Sequence, residues 1–70
     1  MSEIQAVLFN VNYWNTENAS IWLYNHHLYP IKPFHITKNF IRARIHEPSL
    51  FKRIRTIKTN EGIDLIIGFY

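Results

Sequence analysis

The segment Ile4-Gln5-Ala6-Val7-Leu8-Phe9-Asn10-Val11 is apolar on both alternations and short, the pattern of a strand buried on both faces. It predicts a central strand. Asn15-Thr16-Glu17-Asn18 then supplies a capping side chain at Asn15 or Thr16 and an acid in the first turn, where it meets the positive end of the helix dipole. Ala19, Trp22, Leu23 and His26 follow at i, i+3, i+4 and i+7, one apolar stripe of a short helix that can cover a sheet face. His27-Leu28-Tyr29-Pro30 ends it, because Pro30 disfavours helical geometry at Tyr29, and Pro33 keeps the connector extended.

From Thr37 to Ile45 the period becomes two. Asn39, Ile41, Ala43 and Ile45 form one face; Phe40, Arg42, Arg44 and His46 form the other. Glu47-Pro48-Ser49 breaks this strand, and Phe51 to Lys58 reads as a third, with Arg53 and Arg55 on one face and Ile54 on the other. Thr59-Asn60-Glu61-Gly62 is turn chemistry, after which Ile63 to Tyr70 is a fourth, almost wholly apolar strand. The expected fold is α+β: a β-α-β-β-β chain, one domain over residues 1–70, with one helix packed on a mostly antiparallel four-stranded sheet. The last three strands are expected to run as a meander, and the first to reach the second through the helix, by a right-handed crossover if those strands are parallel.

Composition fits a single compact domain. Seventy residues are too few for two cores, and 47% hydrophobic with 16% aromatic is too rich for disorder. No cysteine is present, which excludes disulfides, thiol catalysis and cysteine-based zinc motifs, and agrees with a reducing compartment. No apolar run approaches a membrane span, and Met1-Ser2-Glu3 lacks the basic region of a signal peptide. The expectation is a protein without membrane contact, intracellular in its host (cytoplasm or nucleus) or within a virion.

Charge placement narrows the function. All eight Lys and Arg residues lie between Lys32 and Lys58 with a single acid, Glu47, so that segment carries +7 while the flanks before and after it carry −2 each. The net +3 therefore conceals a concentrated positive field, which is what a polyanion meets. On the outer face of the second strand Phe40, Arg42, Arg44 and His46 are expected to stand in a row about 6.5 to 7 Å apart, with Arg53 and Arg55 flanking them from the next strand. Guanidinium groups match phosphate bidentately, and an exposed ring offers a stacking surface for a base. The candidate nucleic-acid-binding residues are Lys38, Phe40, Arg42, Arg44, Lys52, Arg53, Arg55 and Lys58. The competing expectation is solvation, with Phe40 packed on Phe34 and the arginines paired with Glu47, Glu61 and Asp64.

Other chemistry finds less support. His26 and His27 are adjacent and would diverge by about 100° on a helix, and with no cysteine and five carboxylates a metal site is not expected. A ribonuclease-like trio of His35, His46 and Lys38 is conceivable, but the chain has only Gly62 and Gly68 and hence no Gly-rich phosphate loop. No catalytic residue, metal or cofactor is assigned. Trp22 belongs to the helix stripe and reads as core. Trp14 is expected to pack at the helix start as a hydrophobic staple. Ile66-Ile67-Gly68-Phe69-Tyr70 is either central or, at an edge, a seam for a second copy or another protein.

Trp14, Ala19, Trp22-Leu23, His26 or His27, Thr37-Lys38-Asn39-Phe40-Ile41-Arg42-Ala43-Arg44, Pro48-Ser49, Phe51, Arg55-Thr56 and Gly62-Ile63-Asp64-Leu65-Ile66-Ile67-Gly68 together resemble a small β-α-β-β-β domain of tailed phages and large DNA viruses. Its pattern runs A-x-x-W-L-x-x-H, N-[FY]-x-R-[FA]-R, P-S-x-F, R-T and G-[IV]-x-L-[IV]-I-G, and the resemblance spans nearly the whole chain. It implies a viral source and an association with head-morphogenesis and other virion proteins, more than a biochemical mechanism. Asn18, Ser20 and Tyr24 stand where the pattern carries lysines or arginines, which shifts a binding surface from the helix to the sheet. The expected function is a non-enzymatic viral module whose basic sheet face contacts nucleic acid. The alternative is a protein-interaction or virion-assembly module acting on a viral or host protein, or as a homodimer, through the C-terminal strand and the Tyr13-Trp14 region.

Overall fold

The computed structural model describes residues 1–70. The chain runs β1 (Ser2–Asn10), α1 (Thr16–Asn25), β2 (His35–Ile36), β3 (Phe40–Arg44), a 3-10 turn (Pro48–Leu50), β4 (Arg53–Lys58) and β5 (Ile63–Phe69). It is an α+β domain. The five strands form one sheet in the order β2-β3-β1-β5-β4, and every neighbouring pair is antiparallel. β1 is central, as its two-sided apolar pattern requires.

Register assigns the faces. Val7 and Phe9 of β1 stand opposite Ala43 and Ile41 of β3 and opposite Leu65 and Ile63 of β5. These residues meet Ala19 and Leu23 of α1 in the core. Fully burying a side chain such as Phe9, Leu23 or Ile63 is worth about 1.5–3 kcal/mol. A register shift between Ile4 and Ala6 turns Ile4 to the helix side as well, so that Ile4 and Val7, three residues apart, pack on the same core. The bulged residue, Gln5, is fully buried; its carbonyl accepts from the N–H groups of Ile45 and His46, and its Nε2 donates to the His46 carbonyl at 2.8 Å.

The helix is defined by its ends. Asn15 is the N-cap, its side chain accepting from the Asn18 N–H at 2.8 Å. At the other end His27 adopts φ 57°, its N–H donates to the Tyr24 carbonyl, and the Leu28 N–H reaches back to the Leu23 carbonyl at 2.9 Å. That pair of bonds is a Schellman motif with histidine in the left-handed position glycine usually holds. Trp22 is half-buried rather than core, edge-on to Phe9 at 5.7 Å and stacked on the exposed His26 at 3.8 Å. Beside the helix, an open apolar groove of about 370 Å³ runs between Ile4, Trp22, Leu28, Ile63 and Leu65.

Three expectations about topology are corrected. The sheet has a fifth strand, because His35-Ile36 turns back on β3 through a bend in which Thr37 exchanges bonds with Phe40. The last three strands are no meander: only β4 and β5 form a hairpin, and β1 separates β3 from β5. The segment after β3 must therefore cross the end of the sheet, which it does through the 3-10 turn, laying the Phe51 ring on Gly68. And β3, the strand read from the sequence as the second, is antiparallel to β1, so no right-handed parallel crossover joins that pair; the short β2 before it, antiparallel to β3, runs in the direction of β1 with β3 between them.

Candidate nucleic-acid interface

Alternation puts Phe40, Arg42 and Arg44 of β3 on the face away from the helix, opposite Asn10, Leu8 and Ala6 of β1. His35 of β2 stands beside Arg42 on that face. The proline-held connector then completes the corner: the Ile31 N–H donates to the Arg44 carbonyl at 2.9 Å, which sets Lys32 alongside. Lys32, Pro33, His35, Arg42 and Arg44 line a hollow of about 220 Å³ with no large apolar side chain in it. One acid answers these cations. Glu47 lies 3.6 Å from Lys32 Nζ and 3.9 Å from an Arg44 guanidinium nitrogen. Arg42 has no ion-pair partner, and its Nε is buried without a hydrogen-bond acceptor.

A buried guanidinium N–H costs about 1–3 kcal/mol when left without an acceptor, and the Arg42 Nε is in that position beside the hollow. Two or three cations converging on an open hollow are suited to one or two phosphate oxygens. Arg42 and Arg44 are spaced about 6.6 Å apart along one face, the scale of successive phosphates on an extended strand. The competing expectation is met in part: Arg44 pairs with Glu47, whereas Phe34 packs on the helix-side core and Phe40 lies on the opposite face.

The other basic candidates do not join this corner. Arg53 and Arg55 stand opposite Phe69 and Ile67, on the helix side of the sheet, and three strand spacings, roughly 14 Å, separate β4 from β3. The expected single basic face with Arg53 and Arg55 flanking Arg42 and Arg44 is therefore corrected: the arginines fall on two faces and at two edges. Arg53 sits over the Phe69 ring at 5.6 Å. Lys58 ends β4 opposite Asp64 on the open face, Lys52 leads into β4, and Lys38 lies in the β2–β3 bend. Sequence reasoning missed Lys32 and His35. The signal available was the connector itself, since Pro30 and Pro33 force an extended path that can run back along β3.

His46 is turned inward to Phe51 and its Nδ1 donates to the Ile4 carbonyl at 3.1 Å, so it does not face His35 and Lys38 as a ribonuclease-like trio. No three His, Asp or Glu side chains converge as metal ligands would. No helix is long and apolar enough to cross a membrane. The Tyr13-Trp14 region divides: Trp14 packs on Phe9 at 5.2 Å with its Nε1 donating to the Glu61 carbonyl at 2.8 Å, while Tyr13 remains 74% exposed. β5 is an internal strand paired on both sides, so the C-terminal run is no pairing seam. No protein-family model matches the chain, and neither the curated proteins nor the solved structures include a significant match to it.

Proposed function

We propose that the domain is a non-enzymatic binding module that contacts the phosphate backbone of nucleic acid with the corner formed by Lys32, His35, Arg42 and Arg44, Phe40 extending the surface along β3. The observation that carries this reading is the unpartnered, buried Nε of Arg42 in a hollow lined by cations. Lys38, at the β2–β3 bend, and Lys58, across the open face, add long-range attraction. Arg53, Arg55 and Lys52 are not part of this contact. Binding of this kind falls with salt and depends little on sequence. The test is the affinity of the domain for short single- and double-stranded nucleic acids over a range of salt, with Arg42→Ala and Arg44→Ala beside the parent. The resemblance to viral domains agrees with a module that works on a packaged or replicating genome, within a virion or a host cell.

A further inference from the structure

β4 is the long open edge of the sheet. All six of its residues are exposed, and its only ladder partner is β5. The Thr59 N–H donates to the Ile63 carbonyl at 3.0 Å. Continuing the alternation of an antiparallel ladder, Ile57 and Arg55 turn their backbone groups to β5, and Ile54, Thr56 and Lys58 turn theirs outward. An unpaired edge of this length is a template for another strand.

The side chains say which strand. Ile54 and Ile57 each remain 46% exposed, one on either face, and would be covered by cross-strand neighbours. Arg53, Arg55 and Lys58 have no ion-pair partner in the chain, whose two salt bridges both use Glu47. A second copy of β4 is a poor occupant, because antiparallel pairing brings two cationic edges together, and centred on Arg55 it sets Arg55 against the copy's Arg55 and Lys52 against its Lys58; like charges directly opposite are destabilising. A phosphate backbone would neutralise the cations but leave the outward N–H groups and both isoleucines unmatched.

We propose that β4 accepts an acidic, extended segment of a partner protein as a sixth strand. Run antiparallel, the segment carries acids opposite Lys58, Arg55 and Arg53 and branched apolar residues opposite Ile57 and Ile54. Main-chain bonds to Ile54, Thr56 and Lys58 hold it, and the acids fix its register. This surface is separate from the phosphate corner, on the other edge of the sheet.

The test uses the isotope-labelled domain and a capped peptide, Asp-Val-Thr-Glu-Val-Glu, against its scrambled isomer Val-Glu-Asp-Glu-Val-Thr, which sets acids opposite Ile57 and Thr56 and none opposite Lys58 or Arg53. The alternating peptide is expected to slow amide exchange at Ile54, Thr56 and Lys58 and to bind roughly tenfold tighter than the scramble. Arg53→Glu with Arg55→Glu abolishes this binding, and replacing the peptide's two glutamates by lysines restores it, which shows that the variant is folded. Equal binding of both peptides, or shifts confined to Arg42 and Arg44, overturns the proposal. So does protection of β4 without peptide that grows with protein concentration, which would mean pairing between copies.

Discussion

The ring of Phe51 lies against the backbone of Gly68, in the space where a side chain on Gly68 would have to begin. The close approach lets the segment after β3 cross to β4 while keeping Phe51 buried. Gly68 is therefore needed for space rather than for a special backbone angle. Gly68→Ala must push Phe51 out of place, and overpacking of this kind costs about 1–3 kcal/mol. Urea unfolding is expected to show a lower midpoint with an unchanged slope. A midpoint equal to the parent's would mean the crossing segment yields without loss.

His27 offers the opposite change. Its φ of 57° costs a residue with a Cβ about 1–2 kcal/mol relative to the right-handed region, and its ring, exposed, makes no hydrogen bond that offsets this. Replacement by glycine keeps the Schellman bonds to Leu23 and Tyr24 and is expected to stabilise by about 0.5–1 kcal/mol after glycine's added chain entropy. For a domain of this size the melting temperature should rise by roughly 2–8 °C. Calorimetry on His27→Gly reads it directly.

Tyr70 donates its hydroxyl to the Glu3 carboxylate, tying the last residue to the start of β1. That hydrogen bond, then partial desolvation, then the nearby negative charge hold the phenol protonated above its ordinary range. Because the folded-state value is raised, the tie contributes below the ordinary tyrosine pKa and is lost as pH climbs through the raised one. In an ultraviolet titration Tyr70 is expected to ionise above the ordinary tyrosine range, and Glu3→Gln should bring it back down toward that range. Identical curves for the two proteins would show that the bond does not persist in solution.

Glu47 neutralises part of the phosphate corner through Lys32 and Arg44. Removing its charge frees both cations, so Glu47→Gln is expected to tighten nucleic-acid binding several-fold at low salt, with the gain shrinking as salt screens the corner. Weaker binding would indicate that Glu47 orients Arg44 for its ligand.

The helix with its Asn15 cap, the faces of β3 and the Gly62 turn were legible because each depends on a local period or a local cap. Strand order was not. Period two reports which face a residue takes, not which strand lies beside it, and Glu47-Pro48-Ser49 has the composition of a tight turn although it begins a crossing of the sheet. The bulge at Gln5 was hidden for a related reason: Ile4 to Val11 is apolar on both alternations, so a one-residue shift leaves the pattern unchanged. The error about Arg53 and Arg55 followed from strand order. Their face is set by pairing with Phe69 and Ile67 of β5, and nothing within Phe51 to Lys58 relates that face to the one bearing Arg42. Lys32 and His35 entered the site only through the fold of the connector.

The central claim is that phosphate is met at the Arg42 corner. It is tested most directly by fluorescence anisotropy of a short labelled single strand with the parent domain, Arg42→Ala/Arg44→Ala and Arg53→Ala/Arg55→Ala, between about 50 and about 200 mM salt. Affinity should fall steeply with salt for the parent and the second variant, while the first binds more weakly with a log–log slope reduced by about 1 to 1.5. No binding at low salt, or a slope that the loss of Arg42 and Arg44 leaves unchanged, would contradict it.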